Sequence, residues 1–331
     1  MPKIKKCKEF SSYVQDFTDY CYLKGLSVKT IKSYHQTLLL FSKYLEEERG
    51  ITDINKVNKD VVEEYIQFTR DRGKYSYVAD EKFLKQNYQD KRSDIGKEVS
   101  ASTLNNYLRN IKVFFNFLYD SEIIKFNNVC KAKYIKEKRR MKDQISDEEF
   151  KKLINKINLT IFSEYRDYII INLLFDTGMR LSECLSLTIH DIDLIRRTIF
   201  LSADVTKGKK DRYVFYSQTL GKIFNRYLKY KDAIKETDLL FPTTRCTQLT
   251  ASNFERNFRN YRERAKIDKN ITPHVLRNNF GRRFLLNGGD IYMLSRILGH
   301  SSVTVTEKAY LDLSTDDIRE KYKKYSPLEN L

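Results

Sequence analysis

The chain has 331 residues, 41% of them hydrophobic, which is enough for two domains and at least one sizeable core. Its 61 Lys and Arg against 44 Asp and Glu give a formal net charge of +17, spread over both halves of the chain, and such an excess favours polyanion partners through counterion release. A mean hydropathy of −0.58, the lack of an apolar run of about 18 residues and a start, MPKIKKCKEF, with no apolar segment for secretion argue against a membrane span or a secreted protein.

The first third reads as packed helices. In TIKSYHQTLLLFSKYL the residues Ile31, Tyr34, Leu38, Phe41 and Leu45 draw one apolar stripe, and in LNNYLRNIKVFFNFLYD the residues Leu104, Leu108, Ile111, Phe115 and Leu118 draw another. Shorter patterns at Tyr13 to Leu23 and Val61 to Phe68 complete a predicted four-helix bundle over residues 1–129. The polar stretch between Lys74 and Ser100 reads as a long loop or a short hairpin. Cys130 to Gln144, CKAKYIKEKRRMKDQ, is almost devoid of apolar residues and predicts a basic linker over 130–145.

Ser146 followed by Glu149 is a capping-box signature and predicts the start of a second domain, 146–331. That domain is mixed. RRTIFLS and RYVFYS read as strands joined through ADVTKGKKD, and helical patterns flank them in RDYIIINLLFDTG, NFERNFRNYRERA, HVLRNNFGRRFLLNGG and DIYMLSRILG. The predicted fold class is mainly α with a small β-sheet: a helical bundle followed by an α+β domain. The five cysteines have no CxxC spacing, so they read as reduced, mostly buried thiols with neither a disulfide framework nor a zinc site.

Four stretches of the second domain place cationic or proton-transferring groups at helix ends or a hairpin tip. In TGMRLSECLSL, Gly178 ends one helix and Arg180 opens the next, with Glu183 a turn on; this pair also has an ordinary reading as a surface ion pair. In VTKGKKDR, Lys207 sits beside Gly208 at a turn. In TPHVLRNNF, Pro273 favours a helix start, so His274 and Arg277 share a face of the first turn, where free backbone N–H groups suit a phosphate. In GHSSVTVTEKAY, Gly299 ends a helix, His300 follows, and Tyr310 stands ten residues later. His35 and His190 fall outside these stretches and read as structural or surface residues.

Arg180, Lys207, His274 with Arg277, His300 and Tyr310, in that order, resemble the tyrosine recombinase (phage integrase) family, of the Xer-like and transposon-integrase type. The resemblance covers nearly the whole chain, and the N-terminal bundle looks like the family's core-binding domain, a DNA clamp. It implies that Tyr310 is the nucleophile, attacking DNA to give a 3′-phosphotyrosyl link. Arg180 and Arg277 would hold the non-bridging oxygens of the scissile phosphate. His274 would accept the tyrosyl proton, His300 would donate a hydrogen bond to the phosphate, Lys207 would protonate the leaving 5′-oxygen, and Glu183 would orient Arg180.

The same resemblance implies no cofactor, neither metal nor nucleotide, and a cytoplasmic, nucleoid-associated enzyme. Its partners would be double-stranded DNA with a short inverted-repeat core site and three further copies of the chain, linked through the tail after Tyr310. Thr30 and Arg109 of the bundle and Arg139 and Arg140 of the linker are candidate DNA contacts. The chain begins almost at the bundle, which favours a simple recombinase, with integration and excision of a mobile element as the favoured errand. The family's usual spacing from the last histidine to the tyrosine is nine, and the extra residue is expected to be absorbed in an SSVTVT turn; Tyr322 and Tyr325 are the fallback nucleophiles. A type IB topoisomerase and an inert DNA-binding factor are the competing readings.

Overall fold

The structure is a computed structural model that describes residues 9–78, 92–137, 143–234, 236–300 and 302–310, together with a few positions of the tail. The chain divides into two compact units, Met1–Arg139 and Arg140–Leu331.

The first unit is helical: α1 (Phe10–Leu23), α2 (Val28–Glu47), α3 (Lys59–Arg72) and α4 (Ala101–Asp120). Each of the last three is launched by a side-chain cap, Ser27, Asn58 and Ser100 accepting from backbone N–H groups of the first turn. The periodic residues do what their spacing demands: Leu38, Phe41, Leu104, Ile111 and Leu118 are buried where α2 packs on α1 and α4, and α4 on α3. Aromatic rings fill the centre, with Phe114 against Phe10, Phe17 and Phe115 at centroid distances of 5.5 Å. Of the stretch between Lys74 and Ser100, residues 79–91 lie outside the described part. What is described returns to α3's end, where Lys74 and Gly96–Lys97 exchange backbone hydrogen bonds.

The first half of the basic stretch lies against this unit. After a 3-10 turn at Asn128–Lys131, the Asn105 amide on α4 both donates to the Ile135 carbonyl and accepts from its N–H, at 2.9 and 2.8 Å. The Lys112 ammonium donates to the carbonyls of Cys130 and Ala132.

The second unit opens with α5 (Asp147–Ile154), where the Ser146–Glu149 capping box is formed in both directions. Then come α6 (Phe162–Thr177), α7 (Leu181–Leu185), β1 (Ile192–Asp193), β2 (Thr198–Leu201), β3 (Arg212–Phe215), α8 (Gln218–Ile234), α9 (Ala251–Arg264), α10 (Pro273–Leu286), α11 (Ile291–Leu298) and α12 (Val303–Tyr310). Helix α6 is the hub. Ile169, Ile170, Ile171, Leu173 and Leu174 are all buried, more than a single stripe can hold, as suits a helix against which α8, α9 and α10 all pack. The antiparallel sheet β1-β2-β3 pairs Ile199 with Val214. Its inner face carries Ile199, Leu201 and Val214, while Tyr213 and Phe215 point outward.

Helix α8 and strand β1 have no counterpart in the sequence reading. The thiols differ from expectation too: Cys21 and Cys184 are buried, but Cys130 and Cys246 are exposed, because each sits at a turn outside a packed face. Among the described residues no helix is long and apolar enough to cross a membrane.

Candidate active site

Two helix ends build the floor of the site. Helix α6 stops at Gly178, in the left-handed region at φ +64°; a Cβ there would lie 2.3 Å from the Phe280 ring of α10, so only glycine allows this close approach. Helix α11 stops at Gly299, also left-handed at φ +63°. The carbonyls freed at these ends do not face water. Arg277, only 3% exposed, donates to Gly178 O and to Leu298 O, both at 2.7 Å.

Arg180 is the N-cap residue of α7 and keeps its side chain 24% exposed. Its guanidinium donates to Glu183 Oε1 at 2.9 Å and makes longer contacts, 3.5 Å, with the carbonyls of Leu298 and Gly299. Glu183 is completely buried. Burial pushes its carboxyl up, but hydrogen bonds and charge from Arg212, then those from Arg180, overcome this and hold it below the usual glutamate range. The ordinary surface ion pair allowed by the sequence is therefore not what forms; the acid is the buried centre of a three-residue cluster.

Helix α10 begins at Pro273, as its sequence requires. His274 is exposed on the first turn, and Arg277 lies one turn on, buried. Arg180, Lys207, His274 and Arg277 line one cavity of about 330 Å³, together with Met179, Ser182 and Glu255. Lys207 reaches it from the exposed loop between β2 and β3. Three elements distant in sequence thus deliver cations to one hollow that carries a single carboxylate in its lining.

His300 borders this group. Its Nε2 lies 3.1 Å from the Arg277 guanidinium and its Nδ1 2.8 Å from Thr306 Oγ1. A guanidinium can only donate, so Nε2 is the acceptor and the Nδ1–H donates to Thr306. Burial, then the charges of Arg277, Arg180 and Arg212, lower the imidazole from its ordinary 6.5 to about 4. In the protein alone, Nε2 therefore accepts from Arg277, and the single N–H of the imidazole is engaged by Thr306.

The turn after His300 is shorter than the SSVTVT reading: α12 starts at Val303, so Thr304 to Thr306 are helical. The buried Thr306 gains a histidine partner there, which offsets its weak helix preference. Tyr310 is the last residue of α12, four residues beyond Thr306. Of the fallback tyrosines, Tyr322 is exposed and Tyr325 lies outside the described residues.

The candidate DNA contacts are in a different state. Thr30 is engaged in the start of α2, its N–H and hydroxyl on Ser27 Oγ. Arg109 bonds Asn106 and lines an open groove on α4 with Tyr134 and Glu137. Arg139 and Arg140 lie outside the described residues. Two residues of the site were not read from the sequence. Arg212 stands at the end of the VTKGKKDR stretch, where a charged residue opening a buried strand was the available signal; for Thr306 there was none.

Residues 143–316 match the model of the phage integrase family, and residues 14–79 match that of the phage integrase N-terminal SAM-like domain. The chain is 28% identical to tyrosine recombinase XerC of Bacillus subtilis over 300 residues, which covers 87% of this chain and 95% of the relative. It is 26% identical over 308 residues to tyrosine recombinase XerD of Staphylococcus haemolyticus, 92% of this chain and 94% of that one. Of the solved structures, the XerA recombinase matches with a TM-score of 0.51 at 27% identity, over 96% of this chain and 99% of the other. The Tn1549 transposon integrase, in complex with transposon right end DNA, matches with a TM-score of 0.70 over 95% of this chain and 99% of the other, at 19% identity.

Proposed function

The chain belongs to the phage integrase family of tyrosine recombinases, enzymes that cleave and rejoin DNA, and from that premise we propose that it exchanges strands at a specific site through a 3′-phosphotyrosyl intermediate on Tyr310. The observation that carries this reading is the cavity on which Arg180, Lys207, His274 and Arg277 converge. A phosphate seated there meets two guanidiniums, which match its non-bridging oxygens and stay charged at any working pH. Their positions are fixed before the substrate arrives, which is what stabilisation of charge developing on phosphorus demands.

A phenol with a pKa of about 10 needs a proton acceptor at neutral pH. His274, exposed at the cavity edge, takes that part. Lys207 protonates the departing 5′-oxygen, Glu183 orients Arg180, and His300 donates to the phosphate as the tautomer with its proton on Nε2, its Nδ1 then accepting from the Thr306 hydroxyl, while Arg277 keeps its bonds to Gly178 O and Leu298 O. No metal or nucleotide takes part in this scheme. The N-terminal unit, residues 1–129 with the basic segment 130–145, serves as a clamp on a short inverted-repeat core site, with Thr30, Arg109, Arg139 and Arg140 toward the DNA.

The tail after Tyr310 links four copies into a cycle, and the errand is integration and excision of a mobile element. The transposon integrase among the structural neighbours is in keeping with that errand. A chain truncated after Leu313 is then expected to bind duplex DNA with unchanged affinity but to lose synapsis in a native-gel assay.

The test of the chemistry is covalent trapping on duplexes from the DNA flanking the gene, nicked beside each candidate cleavage position. An SDS-resistant adduct that maps to Tyr310 by peptide mass spectrometry and vanishes in Tyr310→Phe is the expected result. An adduct that survives Tyr310→Phe overturns the assignment of the nucleophile, and DNA binding without any adduct overturns the enzymatic reading.

A further inference from the structure

Arg212 opens β3, at the far end of the loop that carries Lys207, and its side chain is 9% exposed. Its bonds end on the two walls of the site. NH1 donates to Glu183 Oε1 at 3.1 Å and NH2 to Glu183 Oε2 at 2.6 Å, a bidentate fork on the carboxylate that also receives Arg180. Its Nε donates to Ile297 O at 3.1 Å, one of the last carbonyls of α11. The guanidinium lies against the turn that leads to His300: a Cβ on Gly299 would stand 3.0 Å from its Cδ, Nε and NH1 atoms.

We propose that Arg212 is a positioning residue for strand cleavage, holding Glu183, and through it Arg180, in register with the end of α11 that delivers His300. This inference rests on the function proposed above. A second ion pair in the same unit shows the contrast. Arg166 and Asp167 are as deeply buried, but their remaining partners, Pro242 O, Asn257 and Tyr261, belong to the core and not to the cavity. Every partner of Arg212, by contrast, is itself bonded to a residue at the cavity or adjoins one.

A lysine at 212 keeps the charge but cannot span both carboxylate oxygens and a carbonyl at once. A glutamine loses the charge as well. The groups that face His300 are Arg277 and His274 from α10, Arg180 at the start of α7 and Arg212 itself, with Lys210, Asp211, Tyr213 and Arg296 along the adjoining groove. Removing the Arg212 charge raises the pKa of Glu183, whose carboxylate must be ionised to hold Arg180, so the acid limb of the cleavage profile moves to higher pH.

The experiment measures the rate of adduct formation on the nicked duplex for wild type, Arg212→Gln and Arg212→Lys, with affinity for intact duplex and melting temperature in parallel. Arg212→Gln is expected to slow cleavage about 100-fold, the scale of a roughly 1 Å misplacement, with affinity changed less than about threefold. Its acid limb shifts upward. Arg212→Lys is expected to be about tenfold slow with the limb in place.

Cleavage by Arg212→Gln at the wild-type rate overturns the proposal, and so does a loss of rate matched by an equal loss of affinity, which marks a residue needed only for the fold. If Arg212→Gln does not fold, Arg212→Lys decides, since cleavage by it at the wild-type rate removes any need for the fork. Failure of the function itself reads differently, as a wild-type protein that forms no Tyr310-dependent adduct.

Discussion

In the N-terminal unit the buried polar residues are Thr18, Thr37, Thr69 and Asn110, and the centre is made of Phe10, Phe17, Phe41, Tyr65 and Phe114 packed ring on ring. The C-terminal unit buries Arg166, Asp167, Glu183, Lys231 and Arg277; Arg166 bonds the adjacent Asp167, and both buried arginines end on carbonyls 21 to 99 residues away. One interior is held by contacts that are strong in sum and indifferent to angle. The other adds, to an apolar core of its own around Ile170, Leu174 and Phe241, bonds that fail when a partner moves by an ångström. On the proposed function, the N-terminal unit can yield as it closes on DNA, whereas the cations of the C-terminal unit have to stay where the charge develops.

The sharpest way to break this contrast is Asp167→Ala. Asp167 accepts two bonds from Arg166 and one each from Asn257 and Tyr261, and removing it leaves a buried guanidinium without its counterion. A loss of about 3–5 kcal/mol is expected in urea unfolding of the C-terminal unit. Tyr261→Phe deletes one of those donors to a charged group and should cost about 1.5–3 kcal/mol. In the other unit, Phe114→Leu changes the shape of a fully buried ring without removing a directed bond, and about 1–1.5 kcal/mol is expected from the same measurement.

Acid should act more gently. His300 is lowered to about 4 in the folded protein against about 6.5 unfolded. Above that upper value it is neutral in both states and its full contribution is present. As pH falls from about 6.5 toward about 4 the unfolded chain takes up a proton that the folded chain refuses, so stability declines across that window. Thermal melts of wild type against His300→Asn should show this slope in the wild type and lose it in the variant. The smallest change is expected from Tyr65→Phe. The Tyr65 hydroxyl is buried with no hydrogen-bond partner, so its removal should shift stability by less than about 0.5 kcal/mol or raise it. A large loss there would mean that the aromatic interior depends on directed bonds after all.

How far the sequence could be read follows the same division. The helices α2 and α4 declare themselves because a stripe of period 3.6 is local information. The boundaries at Ser146, Gly178, Pro273 and Gly299 were legible because caps and helix stops are local as well. Helix α8 has no counterpart in the sequence reading although Leu220, Ile223, Phe224, Tyr227 and Leu228 do draw a stripe of helical period; Gly221 in its first turn and the strand directly before it obscure where it begins. The pairing of Asn105 with Ile135 joins residues 30 apart through one amide, and nothing in a basic, polar stretch announces it. Arg212 was hidden for a related reason: a charged residue beside a turn has a solvated reading by default, and its partners lie 29 and 85 residues away.

The bonds from Arg277 to Gly178 O and Leu298 O bear on what the protein spends when it meets DNA. An arginine that waits in solvent must surrender its rotamers at the moment of binding. Here that surrender has taken place during folding, because the side chain already rests on helix ends the chain had to satisfy in any case. The affinity gained from the phosphate is reduced that much less by lost motion. Melting of the free protein therefore already reports on whether the anchors of the reaction centre are in place.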